Sequence, residues 1–140
     1  MSEDKLDNSE LKRAGLKITL PRVKILNILE TSGKRHISAE EVYKTLLESG
    51  DDVGLATVYR VLTQFEAAGL VKRHRFETDR AVFELDDGAH HDHLVCMKCN
   101  KIEEFVDDLI EQRQDEIAKQ RGFRITEHCL YLYGLCRHCQ

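Results

Sequence analysis

Within ten residues, His90-His91-Asp92-His93-Leu94-Val95-Cys96-Met97-Lys98-Cys99 holds three imidazoles, one carboxylate and two thiols. Imidazole suits zinc, iron, nickel or copper, thiolate suits zinc, and carboxylate suits harder ions, so one such stretch can serve more than one metal site. A second Cys-x-x-Cys pair, Cys136 and Cys139, lies near the end of the chain. Two pairs, each gripping an ion from a tight turn, complete a closed tetrahedral thiolate set, which is the usual form of structural zinc. A redox motif would need one pair only. The fifth cysteine, Cys129, sits in an alternating apolar run and reads as a small buried hydrophobe.

The histidines carry a further signal. Successive side chains of a strand face opposite sides. If residues 90–97 form a strand, His91 and His93 share one face and His90 and Asp92 the other. One strand then feeds two sites, each needing partners from elsewhere. Glu84, Glu103, Glu104 and Glu111 are the nearby carboxylates, and His36 and His128 the spare imidazoles. The plain alternative is a solvated polar edge strand, with His36 a surface residue in a loop.

These residues need a frame. A chain of 140 residues suffices for one compact domain or two small ones. One Pro and eight Gly are too few for a fibrous or disordered chain. No apolar run is long enough to span a bilayer, and Met1 to Glu10 is acidic and polar rather than signal-like, so a cytoplasmic location is expected. The net charge of −4 looks wrong for a nucleic-acid binder. Its distribution is uneven: the acidic excess lies beyond residue 85 and in the first ten residues, which leaves the rest of the N-terminal part basic.

The chain in order predicts a short helix over Leu6 to Leu16, with Lys12, Arg13 and Lys17 at its end. A second helix starts near Pro21, carries Val23, Ile25, Leu26, Ile28 and Leu29, and stops at Thr31-Ser32-Gly33. Ser38-Ala39-Glu40-Glu41 is a capping-box pattern opening a third helix, with Val42, Leu46 and Leu47 inward and Gly50 closing it. A fourth helix over Leu55 to Ala68 ends at Gly69, with Leu55, Val58, Leu62 and Phe65 as its apolar stripe. Its other face shows Thr57, Tyr59, Arg60, Thr63 and Gln64, groups that suit base edges and phosphates, although an ordinary solvated face has the same composition. Two β-like segments, Leu70–Phe76 and Arg80–Leu85, joined by Glu77-Thr78-Asp79, then complete the order of a winged helix-turn-helix with a basic wing. Asp86-Asp87-Gly88-Ala89 is the linker candidate. Beyond it, strands are expected over His90–Met97 and Lys101–Val106. A helix capped by Asp107 should run to about Arg121 with Leu109, Ile110, Ile117 and Ala118 inward, and Phe123–Leu135 reads as one long strand. The fold class expected is α+β: a DNA-binding winged helix over residues 1–85, a hinge at 86–89 and a small α/β metal-binding dimerisation domain over 90–140.

With those motifs in view, the chain closely resembles the ferric uptake regulator (Fur) family. The likeness is carried by Gly54-Leu55-Ala56-Thr57-Val58-Tyr59-Arg60-Val61-Leu62, by His90-His91-Asp92-His93 followed by Cys-x-x-Cys, and by Gly15 to Arg22 and Ser38 to Tyr43; it spans about Leu11 to Cys139. The resemblance implies a metal-dependent bacterial transcription repressor that binds double-stranded DNA at an A/T-rich inverted repeat as a homodimer or tetramer. Carried over by position, His36, Glu84, His91, His93 and Glu104 would be the regulatory set, and His90, Asp92, Glu111 and His128 an additional set. Cys96, Cys99, Cys136 and Cys139 would hold structural Zn(II). Lys17, Tyr59 and Arg60 match positions that touch DNA. Peroxide sensors of the family tend to have Asp where Glu84 and Glu104 stand, and zinc sensors tend to use a regulatory Cys, so an all-His/Glu set points to Fe(II), for which Mn(II), Co(II) or Zn(II) can substitute. Control of iron uptake genes is the expected role, with manganese, zinc, nickel or peroxide sensing as alternatives within the family. Because the regulatory set draws on both sides of the hinge, a bound ion would fix the angle between the halves. An enzyme is not expected: a zinc deaminase needs a His-x-Glu motif, and none occurs. A metal store or carrier would explain the His and Cys residues, but neither the Tyr59/Arg60 face nor the basic wing.

Overall fold

The computed structural model describes residues 9–76, 81–86, 88 and 90–140. The acidic tip and the start of the expected first helix, the Glu77-Thr78-Asp79 turn with Arg80, and Asp87 and Ala89 of the linker lie outside the described residues. The chain divides into two compact units, Met1–Asp87 and Gly88–Gln140.

The first unit is three long helices on a three-stranded sheet, preceded by the described part of a first helix, α1, over residues 9–13. Helix α2 (Leu20–Thr31) is opened by Thr19, whose hydroxyl accepts from the Arg22 amide, with Pro in its first turn where no donor is lost. A two-residue strand, β1 (Ile37–Ser38), leads directly into α3 (Ala39–Glu48). Ser38 and Glu41 form a reciprocal capping box there: the Ser38 hydroxyl accepts from the Glu41 amide at 3.1 Å, and the Glu41 carboxylate accepts from the Ser38 amide at 3.2 Å. Helix α4 (Leu55–Ala67) buries Val58, Val61, Leu62 and Phe65. Gly69 follows it at φ 80°, a left-handed position that a side chain would strain. Strands β2 (Val71–Arg75) and β3 (Ala81–Leu85) complete an antiparallel sheet of order β1-β3-β2. One face of that sheet, with Ile37, Val71 and Phe83, joins the core formed with Ile25, Leu26, Val42, Leu46, Leu62 and Phe65. Leu47, expected inward, is 54% exposed. It follows Leu46 by one position, about 100° around the helix, so only one of the two can face the core that Val42 and Leu46 share.

The second unit is a sheet of order β5-β4-β6 with one helix. Strand β4 (Asp92–Cys96) is central; β5 (Ile102–Phe105) pairs with it antiparallel and β6 (Tyr131–Gly134) parallel. Helix α5 (Asp108–Gln120) is capped by Asp107, whose carboxylate accepts from the amides of Leu109 and Ile110. Three expectations are corrected here. The long strand over Phe123–Leu135 shrinks to four residues, because its ladder with the short β4 runs only from Tyr131 to Gly134 among the described residues. Leu109 and Ile117 are 75% and 44% exposed rather than inward, and Phe123 just after the helix is 73% exposed; Ala118 is buried and Ile110 half-buried. Cys129 is exposed, because it precedes the ladder rather than lying in it.

The capping box gives a direct check. Ser38→Ala should lower stability by about 1 kcal/mol, read as a shift in the urea midpoint, whereas Ser38→Asp should keep most of it.

Candidate metal centres and DNA-reading face

Four sulfurs converge at one end of the second unit. Cys96 ends β4, Cys99 closes its turn, and Cys136 and Cys139 follow β6, which the parallel ladder holds beside β4. The thiol sulfurs of Cys99 and Cys136 are 3.7 Å apart. Zn–S bonds of about 2.3 Å in a tetrahedron set sulfurs about 3.8 Å apart, so the set fits zinc. The amides of Cys99 and Cys136 point at the Cys96 sulfur, at 3.5 and 3.4 Å. These amides pull the Cys96 thiol down to about 5. Cys139 is pushed up to about 12, first by its side-chain contact with Cys136 and then by burial. A thiolate and a reluctant thiol in one cluster are what four sulfurs without a shared cation should show.

The strand expected over His90–Met97 is shorter, β4 starting at Asp92, and His90 and His91 lie just before it; the donors around it fall into two groups. On one side, Glu104 lies opposite His93 in the β4–β5 register, and its Oε2 is 3.6 Å from His91 Nε2 and 4.0 Å from His93 Nε2. On the other, His90 Nε2 is 3.0 Å from Asp92 Oδ1 and 3.2 Å from Glu111 Oε1, and His128 Nε2 is 2.9 Å from Glu111 Oε2. The His90 and His128 rings are 4.2 Å apart between centroids. Asp92 is fully buried, and its Oδ2 has no hydrogen-bond partner among the described residues, as a carboxylate built for a cation would be left. Metal–ligand bonds of about 2.1 Å space neighbouring donors by about 3–4 Å, which both groups satisfy. Glu103, the other carboxylate near this strand, is exposed and pairs with Lys101 instead.

In the first unit, His36 and Glu84 meet because β1 pairs with β3. The register Ile37↔Phe83 sets residue 36 opposite residue 84, and His36 Nε2 lies 3.4 Å from Glu84 Oε2. Arg35 Nε reaches the same oxygen at 3.3 Å. The other oxygen, Oε1, is 2.6 Å from His74 Nε2. In the sequence, His74 stands out only as one of the basic residues of the wing. Its register carries the missing signal: His74 faces Val82, one alternation from Glu84, so both side chains lie on one face of the sheet.

On α4, Tyr59, Arg60 and Thr63 are exposed and Thr57 and Gln64 are half-buried. The Tyr59 hydroxyl donates to Glu40, the Arg60 guanidinium to Thr57 Oγ1, and Thr63 accepts from Arg73 at 2.9 Å. Arg22, which the pattern does not single out, donates to Gln64 Oε1 at 2.9 Å and to the Lys17 carbonyl at 2.8 Å. It thereby ties the Lys17 segment to α4. The basic wing strand is less free than its composition suggests: Lys72 pairs with Asp86, Arg73 with Glu66 and His74 with Glu84, leaving Arg75 exposed.

The profile of the ferric uptake regulator family matches residues 13–133. The chain belongs to the ferric uptake regulator family. Its similarity to the ferric uptake regulation protein of Legionella pneumophila is 66% identity over 134 residues, covering 96% of this chain and 98% of that protein. Among solved structures, the ferric uptake regulator from Pseudomonas aeruginosa with manganese matches at 58% identity and TM-score 0.79, covering 94% of this chain and 98% of that one. The Helicobacter pylori Fur structure, described as revealing three functional metal-binding sites, matches at 28% identity and TM-score 0.84, covering 99% and 91%. In this Fur-family chain the donors likewise gather in separate groups: four thiols, a His/Asp/Glu group on one side of β4, and His/Glu donors in each unit.

Zinc uptake by the four thiols should release protons, that of the raised Cys139 among them, so affinity should rise with pH and fall as protons compete. Below about pH 5 Cys96 also protonates and the fall steepens. Competition titration with a chromophoric chelator at several pH values measures the slope. Cys96→Ser should lose zinc and destabilise the second unit, seen as a lower midpoint by circular dichroism; a zinc-loaded variant of unchanged midpoint would contradict the structural role.

Proposed function

We propose that the chain is an iron-responsive, DNA-binding transcription repressor that works in the cytoplasm as a homodimer and controls iron uptake genes. The observation that carries this reading is the donor set: His36 and Glu84 in the unit that bears α4, and His91, His93 and Glu104 in the other, all imidazole and carboxylate, without a thiol. Such a set suits Fe(II) in five- or six-fold coordination, with Mn(II), Co(II) or Zn(II) able to stand in. Relatives at 55–66% identity bear the name ferric uptake regulation protein, which fits the same metal.

Cys96, Cys99, Cys136 and Cys139 would hold zinc and keep the second unit folded. His90, Asp92, Glu111 and His128 would hold an additional ion. The exposed Leu109, Ile117 and Phe123 suit a subunit interface, since apolar side chains of this size are costly to leave in water. Tyr59, Arg60, Thr57, Thr63 and Gln64 would read a duplex groove, with Lys17 beside them, at an A/T-rich inverted repeat. The regulatory ion, when bound, supplies a cross-link between donors of the two units. In a twofold dimer the angle it sets would fix the separation of the two α4 helices, and half-sites about one helical turn apart demand that separation.

His36→Ala should weaken Mn(II)-dependent DNA binding by about 5- to 150-fold, the range of a typical allosteric coupling, and leave the dimer intact. Gel-shift titration with and without Mn(II), beside sedimentation, measures both; unchanged metal dependence refutes the cross-link. Arg60→Ala should weaken DNA binding without altering metal uptake. If Arg60 neutralises one phosphate, the substitution should also reduce the slope of log K against log salt by about one.

A further inference from the structure

We propose that His74 is a metal ligand, and that His36, His74 and Glu84 form a half-site contained within the winged-helix unit, able to take a divalent ion without the donors of the second unit. The inference rests on the reading of His36 and Glu84 as regulatory ligands and adds to it a residue and an order of assembly. One ligand atom from each of the three residues lies within 4.8 Å of the others, so small side-chain rotations bring them to the donor spacings of about 3–4 Å that bonds of about 2.1 Å set. The Glu84 carboxylate is 2% exposed, and each oxygen faces an imidazole nitrogen: Oε1 that of His74 at 2.6 Å, Oε2 that of His36 at 3.4 Å. Two imidazoles and a carboxylate converging on one point are the protein half of a facial triad that suits Fe(II), with the remaining positions left open.

The sheet prearranges these donors. Register sets His36 and His74 on the two strands that flank β3, with Glu84 between them. The His74 ring is stacked on Phe76 at 5.7 Å with an interplanar angle of 6°, and meets the His36 ring edge-on at 5.8 Å. A stabilising partner for Glu84 would need only the contact of His74 with one oxygen. The closeness of His74 to His36 as well is what a shared ion requires. An ion held first by this trio keeps open positions for His91, His93 and Glu104. Capture would thus precede the cross-link rather than wait for the units to come together.

The test uses the full-length, zinc-loaded protein and Mn(II), read by paramagnetic broadening of amide resonances at residues 36, 74 and 84. In a His91→Ala/His93→Ala/Glu104→Ala protein, broadening at these residues should persist. Adding His74→Ala should weaken it about 100-fold or remove it, at or beyond the upper end of what outer-shell partners cost. His74→Phe, which keeps a ring against Phe76 but no nitrogen, should act like His74→Ala and separates the loss of a ligand from the loss of packing; spectra without metal show whether each variant is folded. If the triple variant shows no broadening there while the unaltered protein does, the self-contained half-site is wrong and the cross-link stands. If broadening survives His74→Ala or His74→Phe, His74 is not a ligand. If the unaltered protein shows none at 36 and 84, the regulatory reading itself fails and this inference with it.

Discussion

A buried carboxylate is the constraint around which the first unit is built. Glu84 sits in the middle strand of its sheet with its side chain 2% exposed. An unpaired carboxylate there would cost several kcal/mol. The fold therefore supplies cations and donors from both sides: His36 and Arg35 from the segment entering β1, and His74 from β2. This explains a strand of only two residues. β1 adds little to the sheet by itself, but its register fixes where His36 lies, and the capping box at Ser38 starts α3 in the next residue. Loop, strand and helix cap are thus one continuous device that delivers an imidazole to a carboxylate.

The second unit solves a different problem with one strand. β4 is the middle strand of its sheet, and each of its faces carries a covered polar side chain: Asp92 and His93, which point to opposite sides, are 0% and 2% exposed. Its end runs into the first Cys-x-x-Cys turn, and the parallel partner β6 runs into the second. A parallel pair is needed for this, because only strands running the same way deliver both turns to the same end. The four thiols therefore tie the ends of two strands whose residues also place His93 and the ring of Tyr131, 5.7 Å apart. Loss of an ion at the thiols should be felt along β4.

How much of this can be read from the residues depends on the range of the interaction. Helix stops, the Ser38 capping box and the Cys-x-x-Cys pairs are local signals, and each appears where the pattern puts it. The sorting of His90 and Asp92 from His91 and His93 is legible because it needs only the two-residue period of a strand. His74 is not, because its meaning depends on register with a strand beyond the turn, and a run of Lys72, Arg73, His74 and Arg75 reads first as charge. Leu109 and Ile117 point to a core in the sequence because apolar periodicity marks a face that avoids water without saying what covers it. The first part of Phe123–Leu135 alternates like a strand but joins no ladder among the described residues.

Charge alone cannot carry the proposed switch, and this decides in favour of geometry. Phe83 and Glu84 are consecutive in β3, so they face opposite sides of the sheet, and it is Phe83 that joins the core beneath α4. DNA on the exposed face of α4 is then separated from an ion at Glu84 by the sheet and by a helix about 10 Å thick. A divalent ion and one phosphate at about 15 Å in water interact by only about 0.6 kcal/mol before screening. A regulatory coupling of about 1–3 kcal/mol must come mainly from elsewhere. An ion that shared ligands between two units would provide it by restricting their orientation, which is the part proposed here for the buried trio around Glu84.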